Sequence, residues 1–259
     1  MTQALPTVFL SHGSPMHAIA PGAVREAWQS LAADLPRPKA LLMVSAHWET
    51  HLPMLTGHAR PETIHDFYGF PRPLYQVQYP APGAPEVAER ALALLKQAGF
   101  TAAIDGCRGL DHGAWSPLLH MYPDASIPTL QVSVQTELGP RHHLQLGAAL
   151  APLADEGVLV FGSGHMTHNL RDRADGGPLP YVAEFQGWAN DRILSGDTES
   201  LADYRTLTRT GLRAHPSDEH FLPLFVALGA AGPGYKATRL WDGIEMGALA
   251  MDAYRFDRG

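Results

Sequence analysis

Apolar residues fall in two rhythms along the chain. Short apolar runs, at Val8-Phe9-Leu10, Ala40 to Ala46 and Val158 to Phe161, predict strands buried on both faces, as in a parallel sheet, and Thr129 to Val134 reads as a further strand. Elsewhere apolar residues recur every three or four positions. Ala23, Ala27, Leu31 and Leu35 predict a helix over 22–35. Val87, Ala91, Leu94, Leu95 and Ala98 predict another over 85–98, with Pro85 in its first turn and Gly99 just beyond its end. Further helices are expected over 116–121, 140–153, 181–194, 198–213 and 221–231, and a short strand over 100–104. Residues 110–115 read as a loop. The stretch from His51 to Pro82, broken by Pro and Gly and rich in aromatic residues, reads as a long functional loop holding one or two short strands. Strands and helices alternate without a fixed repeat or a Ser/Gly linker. The prediction is one α/β domain over 1–259, with a central, mostly parallel, mixed sheet flanked by helices.

Composition narrows the partners. The 259 residues carry a net charge of −7 and no basic run, which argues against nucleic acid and anionic membranes. No run approaches the roughly 18 apolar residues of a membrane span. The first residues lack a basic segment followed by a long apolar one, so no signal peptide is expected. The single cysteine, Cys107, allows no intramolecular disulfide. A cytoplasmic location and a monomer or small homo-oligomer are the expectations. Fourteen histidines beside 19 Lys and Arg residues are unusual, and histidine is both the commonest metal ligand and the usual proton carrier near neutral pH.

Their placement carries the chemistry. Three apolar strands run into histidine-bearing segments: Ser11-His12-Gly13, His47-Trp48-Glu49, and Gly162-Ser163-Gly164-His165-Met166-Thr167-His168. If these strands are parallel, all three segments lie at the carboxyl edge of one sheet, where ligands of open α/β sheets collect. His112, in Asp-His-Gly-Ala-Trp, and His220, at the entry to a helix, could join them. Neutral imidazoles so placed can converge on one cation. Glu49, Asp111, Asp218 and Glu219 could orient them by accepting the other ring N–H. Each segment alone also reads as an ordinary turn; the joint pattern points to a metal site at the strand ends. His17, His51, His58, His120, His142, His143 and His215 lack such placement and read as surface or local structure. Gly162-Ser163-Gly164 is a poor phosphate loop, since position 167 is Thr and no Gly-Lys-Ser/Thr occurs. Gly-x-Ser-x-Gly is absent, which disfavours a nucleophile-elbow hydrolase.

Six segments in order resemble the LigB-type extradiol ring-cleavage dioxygenases, in particular the 4,5-DOPA dioxygenase group. They are Leu10 to Pro15, Ser45 to Glu49, Asp66 to Pro71, Leu110 to Trp115, Gly162 to Gly164 with Thr167-His168-Asn169, and Glu219 to Leu224. The tail Met251 to Phe256 is similar as well. The resemblance implies a mononuclear metal held by His12, His47 and His220. It places His168 as a further ligand or as the acid/base, and His112 against substrate or dioxygen. His165 stands three residues before His168 and competes for its role; the Thr-His-Asn context favours His168. The implied activity is opening of a catechol, DOPA-like, beside its diol with O2. Fe(II) would serve turnover. An all-histidine site also suits Zn(II), the form expected in a purified sample. Trp48, Phe67, Tyr68 and Trp115, with Phe70, are the expected aromatic walls for a flat substrate. The alternatives are a zinc-dependent hydrolase or amidase on the same site, and a non-catalytic metal-binding protein.

Overall fold

The unbroken apolar runs form the middle of one sheet. The computed structural model describes residues 4–259. Its strands are β1 (Thr7–Ser11), β2 (Ala40–Glu49), β3 (Met54–Thr56), β4 (Ala103–Asp105), β5 (Thr129–Val134), β6 (Val158–Gly164), β7 (Lys236–Trp241), β8 (Ile244–Glu245), β9 (Leu249–Ala250) and β10 (Ala253–Asp257). The helices are α1 (Val24–Asp34), α2 (Pro85–Gln97), α3 (His112–Met121), α4 (Gly139–Leu150), α5 (Pro152–Asp155), α6 (Pro180–Ser195), α7 (Thr198–Ala202), α8 (Tyr204–Leu207), α9 (Gly211–Ala214) and α10 (Leu222–Ala231). Eight strands make one sheet in the order β4-β3-β5-β2-β6-β1-β10-β7, and β8 pairs with β9 apart from it. The central four, β5-β2-β6-β1, are parallel. Antiparallel pairing enters towards both edges, through β3 on β5 and through β10 on β1 and β7. This is the mostly parallel, mixed α/β sheet that the apolar runs predict.

Alternation along each central strand sorts the core into two faces. Leu41 and Met43 of β2 and Leu159 and Phe161 of β6 pack with Trp28 and Leu31 of α1 and Trp115 and Leu118 of α3. Leu42 and Val44 of β2 and Val158 and Val160 of β6 pack with Ala91 and Leu95 of α2 and Leu146 and Leu150 of α4. Each fully buried Leu or Phe contributes about 2 kcal/mol of burial free energy. Residues buried on both faces leave these strands no alternative register.

Three expectations change. The loop expected over 110–115 is cut short, because α3 starts at His112. Gly113 lies inside that helix because a Cβ there would meet Ser45 Oγ at 2.4 Å. The helix expected over 198–213 is three short turns. Buried Tyr204 donates to Asp218 at 2.6 Å, which pulls the chain off a straight path. The edge strand β7 escapes notice because Lys236-Ala237-Thr238-Arg239-Leu240-Trp241 is half polar and packs at the rim.

Two of the histidines read as surface or local structure, His143 and His215, are buried and structural. On α4, His143 Nδ1 donates to Gly139 O at 2.7 Å and its Nε2 accepts from the Gln135 backbone N–H at 3.1 Å. Burial pushes its pKa down to about 4, and that of His215 down to about 3. Both are neutral in the native state. An unfolded histidine titrates near 6.5. Stability is therefore full above that pH and is lost as pH falls toward the native value, where the unfolded state binds the extra proton. Between pH 7 and pH 5, His143 alone is expected to account for a loss of about 2 kcal/mol. Urea melts at the two pH values test this: His143→Gln should narrow the stability difference by that amount, and an unchanged difference would contradict it.

Candidate metal centre and active site

The ends of β1, β6 and β2 lie level. Leu10 and Ser45 both register with Ser163 of β6, the strand between them. His12 follows β1, His47 sits near the end of β2, and His165 and His168 follow β6. The start of α3 adds His112, and the residues before α10 add His220. Their rings cluster at this edge of the sheet. From the His12 ring the centroid distances are 4.9 Å to His47, 5.4 Å to His112, 5.0 Å to His165 and 5.5 Å to His220.

Close backbone packing makes that approach possible. A Cβ on Gly164 would lie 2.1 Å from the His220 carbonyl, and one on Gly162 would lie 2.3 Å from the Pro223 carbonyl. Only glycine lets the segment entering α10 lie against β6, where the His165 N–H donates to His220 O at 2.7 Å. Gly-Ser-Gly is thus a packing device. The serine between the glycines serves the site directly. Ser163 donates its hydroxyl hydrogen to Gly113 O, so its oxygen accepts from His12 Nδ1 at 3.1 Å.

The same logic holds around the ring of histidines. His220 Nδ1 donates to Glu219 at 2.9 Å. His112 donates twice to Asp66, through its backbone N–H and through Nδ1, each at 2.9 Å. Asp66 also lies 3.6 Å from His47 Nδ1. With Nδ1 protons turned outward, the Nε2 lone pairs point inward. His12 Nε2 and His47 Nε2 face each other at 3.0 Å. Two lone pairs at that distance repel; a cation between them removes the conflict. Donor atoms of His12, His47 and His220 lie within 4.8 Å of one another, so this trio could hold one divalent metal. Burial, reinforced by the neighbouring imidazoles, pushes the pKa values of His12, His47 and His220 well below the usual range, which keeps the lone pairs free. Burial would raise the Asp66 carboxyl. The His112 hydrogen bond and the adjacent imidazoles outweigh it and hold the pKa at about 2.

His168 stands apart from the trio. Its ring stacks on His220 with centroids 3.4 Å apart and planes 14° from parallel. Imidazole lone pairs lie in the ring plane, so an ion in the plane of His220 sits a stacking distance away from the plane of His168. The expected four-histidine set of His12, His47, His168 and His220 therefore separates into three converging rings and one stacked on them. Burial pushes His168 down to about 4, so it is neutral at pH 7. Its Nδ1 lies 3.9 Å from Glu219. His165 is engaged elsewhere, its Nε2 accepting from the Gly13 N–H at 3.1 Å.

These rings line a cavity of about 240 Å³ with Phe67, Phe70, Met246 and Leu249, a size that suits a small aromatic molecule. A larger hollow of about 560 Å³ lies by Lys39, Pro85 and Arg90, at the opposite end of the strands, and contains none of the clustered histidines. Of the expected aromatic walls, Phe67 and Phe70 reach the cavity and three residues do not. Trp48 follows His47 on a strand, so its side chain points to the other face, where the Arg108 guanidinium covers it at 4.7 Å. Trp115 is wholly buried in the core and donates to Ile64 O at 2.8 Å. Tyr68 is 92% exposed. Asp66, inside a segment quoted for its resemblance, and Ser163 are partners that reading by residue type missed. They sit 46 and 151 positions from the imidazoles they hold. Asp111, expected to orient an imidazole, is buried and accepts instead from Ser45, Gln131 and Arg108, tying β2 to α3. Glu49 and Asp218 likewise hold Thr136 and Tyr204 rather than a ring.

A family model described as the catalytic LigB subunit of aromatic ring-opening dioxygenase matches residues 6–250. The chain belongs to this family. Among LigB relatives, a Beta vulgaris protein named 4,5-DOPA dioxygenase extradiol is 45% identical, with 96% of each chain covered. One of the same name from Escherichia coli K12 is 40% identical over 95% of this chain and 93% of its own. A crystal structure of an uncharacterized Escherichia coli K12 protein superimposes with a TM-score of 0.83 at 35% identity, covering 97% of this chain and 99% of that one. Among the described residues no helix is long and apolar enough to cross a membrane. The LigB fold thus carries a histidine-rich site whose donors suit one divalent metal. Ser163→Ala is expected to weaken Zn(II) affinity about 10-fold by releasing His12 Nδ1. Competition against a chromophoric chelator measures this, and unchanged affinity would mean that another contact sets the His12 tautomer.

Proposed function

We propose that the whole chain, 1–259, is one catalytic domain that opens a DOPA-like catechol beside its diol with O2, at a single metal held by His12, His47 and His220. The observation that carries this is the pair of inward Nε2 lone pairs 3.0 Å apart, with the outer nitrogens directed to Ser163 and Asp66. Bound there, Fe(II) supplies the electron transfer between diol and dioxygen that Zn(II), which has no redox chemistry, does not. Fe(II) is accordingly the working ion, and zinc a form that the same imidazoles would retain. The substrate class follows the names of the relatives and the aromatic side of the cavity. The single cysteine, Cys107, is free and exposed, which fits the cytoplasm. The working form is a monomer or a small homo-oligomer.

The remaining work falls to the chain. Phe67 and Phe70 meet at 5.4 Å, ring edge to ring face, and form an apolar wall that holds a flat ring and excludes water. His168 is a neutral imidazole on the cavity wall, placed to take a phenolic proton, with Glu219 at 3.9 Å to stabilise the imidazolium. His112, locked by Asp66 through Nδ1, offers its Nε2 lone pair to a hydrogen of the substrate, and His168 returns the proton that it took as the ring opens. The product is a muconic semialdehyde that keeps both oxygen atoms.

Anaerobic loading with Fe(II), followed by a catechol panel and then oxygen, should give a yellow ring-opened product; no turnover across the panel would sink this reading. His168→Ala should keep one metal per chain and lose about 10²- to 10⁴-fold in kcat. If the metal leaves as well, His168 is a ligand.

A further inference from the structure

The cavity has a charge pattern that ring opening does not use. Its lining contains one carboxylate, Asp66, and one permanent cation, Arg173. Asp66 is fully engaged, since both its oxygens accept from His112. Arg173 is not. Its Nε donates to Leu170 O at 3.0 Å, which fixes the base of the guanidinium and leaves the terminal nitrogens free. Asp172 beside it is taken by Arg213 at 2.7 Å. The segment is braced against the β8–β9 hairpin, where the Ala174 N–H donates to Met246 O at 3.0 Å. Leu170, Arg173 and Met246 line the cavity and are exposed, and so form its solvent-facing rim.

We propose that Arg173 selects, among catechols, those whose side chain bears a carboxylate. A planar guanidinium with two free N–H directions matches a carboxylate fork. The rest of the rim is apolar, so no other group there competes for an anion. A diol at the histidine trio directs its ring substituent outward, and Asp66 repels an anion from the inner wall. The assignment rests on the ring-opening reading and deepens it. An amino acid and a simple aryl acid share the carboxylate, and the test separates them.

The test compares wild type with Arg173→Gln, Arg173→Lys and Arg173→Glu in the Fe(II)-loaded enzyme. The substrates are 3,4-dihydroxyphenylacetate, DOPA, 4-methylcatechol and dopamine. Arg173 is exposed, so the variants should fold. In Arg173→Gln, KM for 3,4-dihydroxyphenylacetate should rise about 5- to 10-fold with kcat within about 2-fold. KM for 4-methylcatechol should stay within about 2-fold. Arg173→Lys should recover part of the loss, and Arg173→Glu should lower KM for dopamine. A similar rise for DOPA means that an amino acid is read by its carboxylate; a rise confined to dihydroxyphenylacetate restricts selection to simple acids. Uniform KM changes, or none, overturn the proposal and leave ring opening standing. If wild type opens no catechol, the ring-opening reading fails. Calorimetric titration of metal-free protein with 4-hydroxyphenylacetate then still decides the role of Arg173. Weaker binding to Arg173→Gln supports it, and equal binding overturns it.

Discussion

The site depends on where each histidine sends its outer N–H. Ser163 takes that of His12, Glu219 that of His220 and Asp66 that of His112, and Asp66 also lies 3.6 Å from His47 Nδ1. Imidazoles left to rotate would satisfy one another by hydrogen bonding and dissolve the lone-pair arrangement. Held from behind, they cannot. Burial then makes the protonated forms costly, so the cluster is a set of neutral donors waiting for positive charge. Desolvation outweighs the pull of Asp66 toward a protonated His47, while the hydrogen bonds choose which ring nitrogen carries the proton, which gives one arrangement of tautomers with a metal-sized centre.

The outer partners come from every layer of the fold. Ser163 belongs to the central strand β6, Asp66 to the long loop after β3, and Glu219 to the approach to α10. Their reach requires backbone contact that side chains would prevent. Gly162 and Gly164 admit the carbonyls of Pro223 and His220, and Gly113 admits Ser45. Asp111 then pins the end of β2 to the start of α3 from within the core. The donors converge among buried residues, whereas Leu170, Arg173 and Met246 meet the solvent at the rim.

Much of this was legible in residue order. Apolar runs located three of the four parallel strands, and for the fourth, β5, where polar and apolar residues alternate, the bounds agree at Thr129 and Val134. Histidines at the ends of those runs had to gather once the strands were parallel. The polar edge strand β7 and the three turns between Asp197 and His215 were hidden. Their structure is set by a rim position and by the anchoring of Tyr204, neither of which leaves a periodic trace. The aromatic wall was misread for the same kind of reason. Trp48, Tyr68 and Trp115 were chosen by type and proximity in sequence, whereas a strand's alternation and a loop's course decide which ring meets the cavity.

The sequence by itself determined the fold class, the family and the identity of the converging histidines, because apolar period and strand-end position are properties of order along the chain. Tertiary structure alone decided the division of labour among them. That three rings share a centre while His168 stacks on one of them is a matter of ring planes. That His165 binds the Gly13 backbone is a matter of approach between separate loops. The same holds for Asp66, Ser163 and Arg173, whose roles come from distance and direction across the sheet edge rather than from neighbours in sequence.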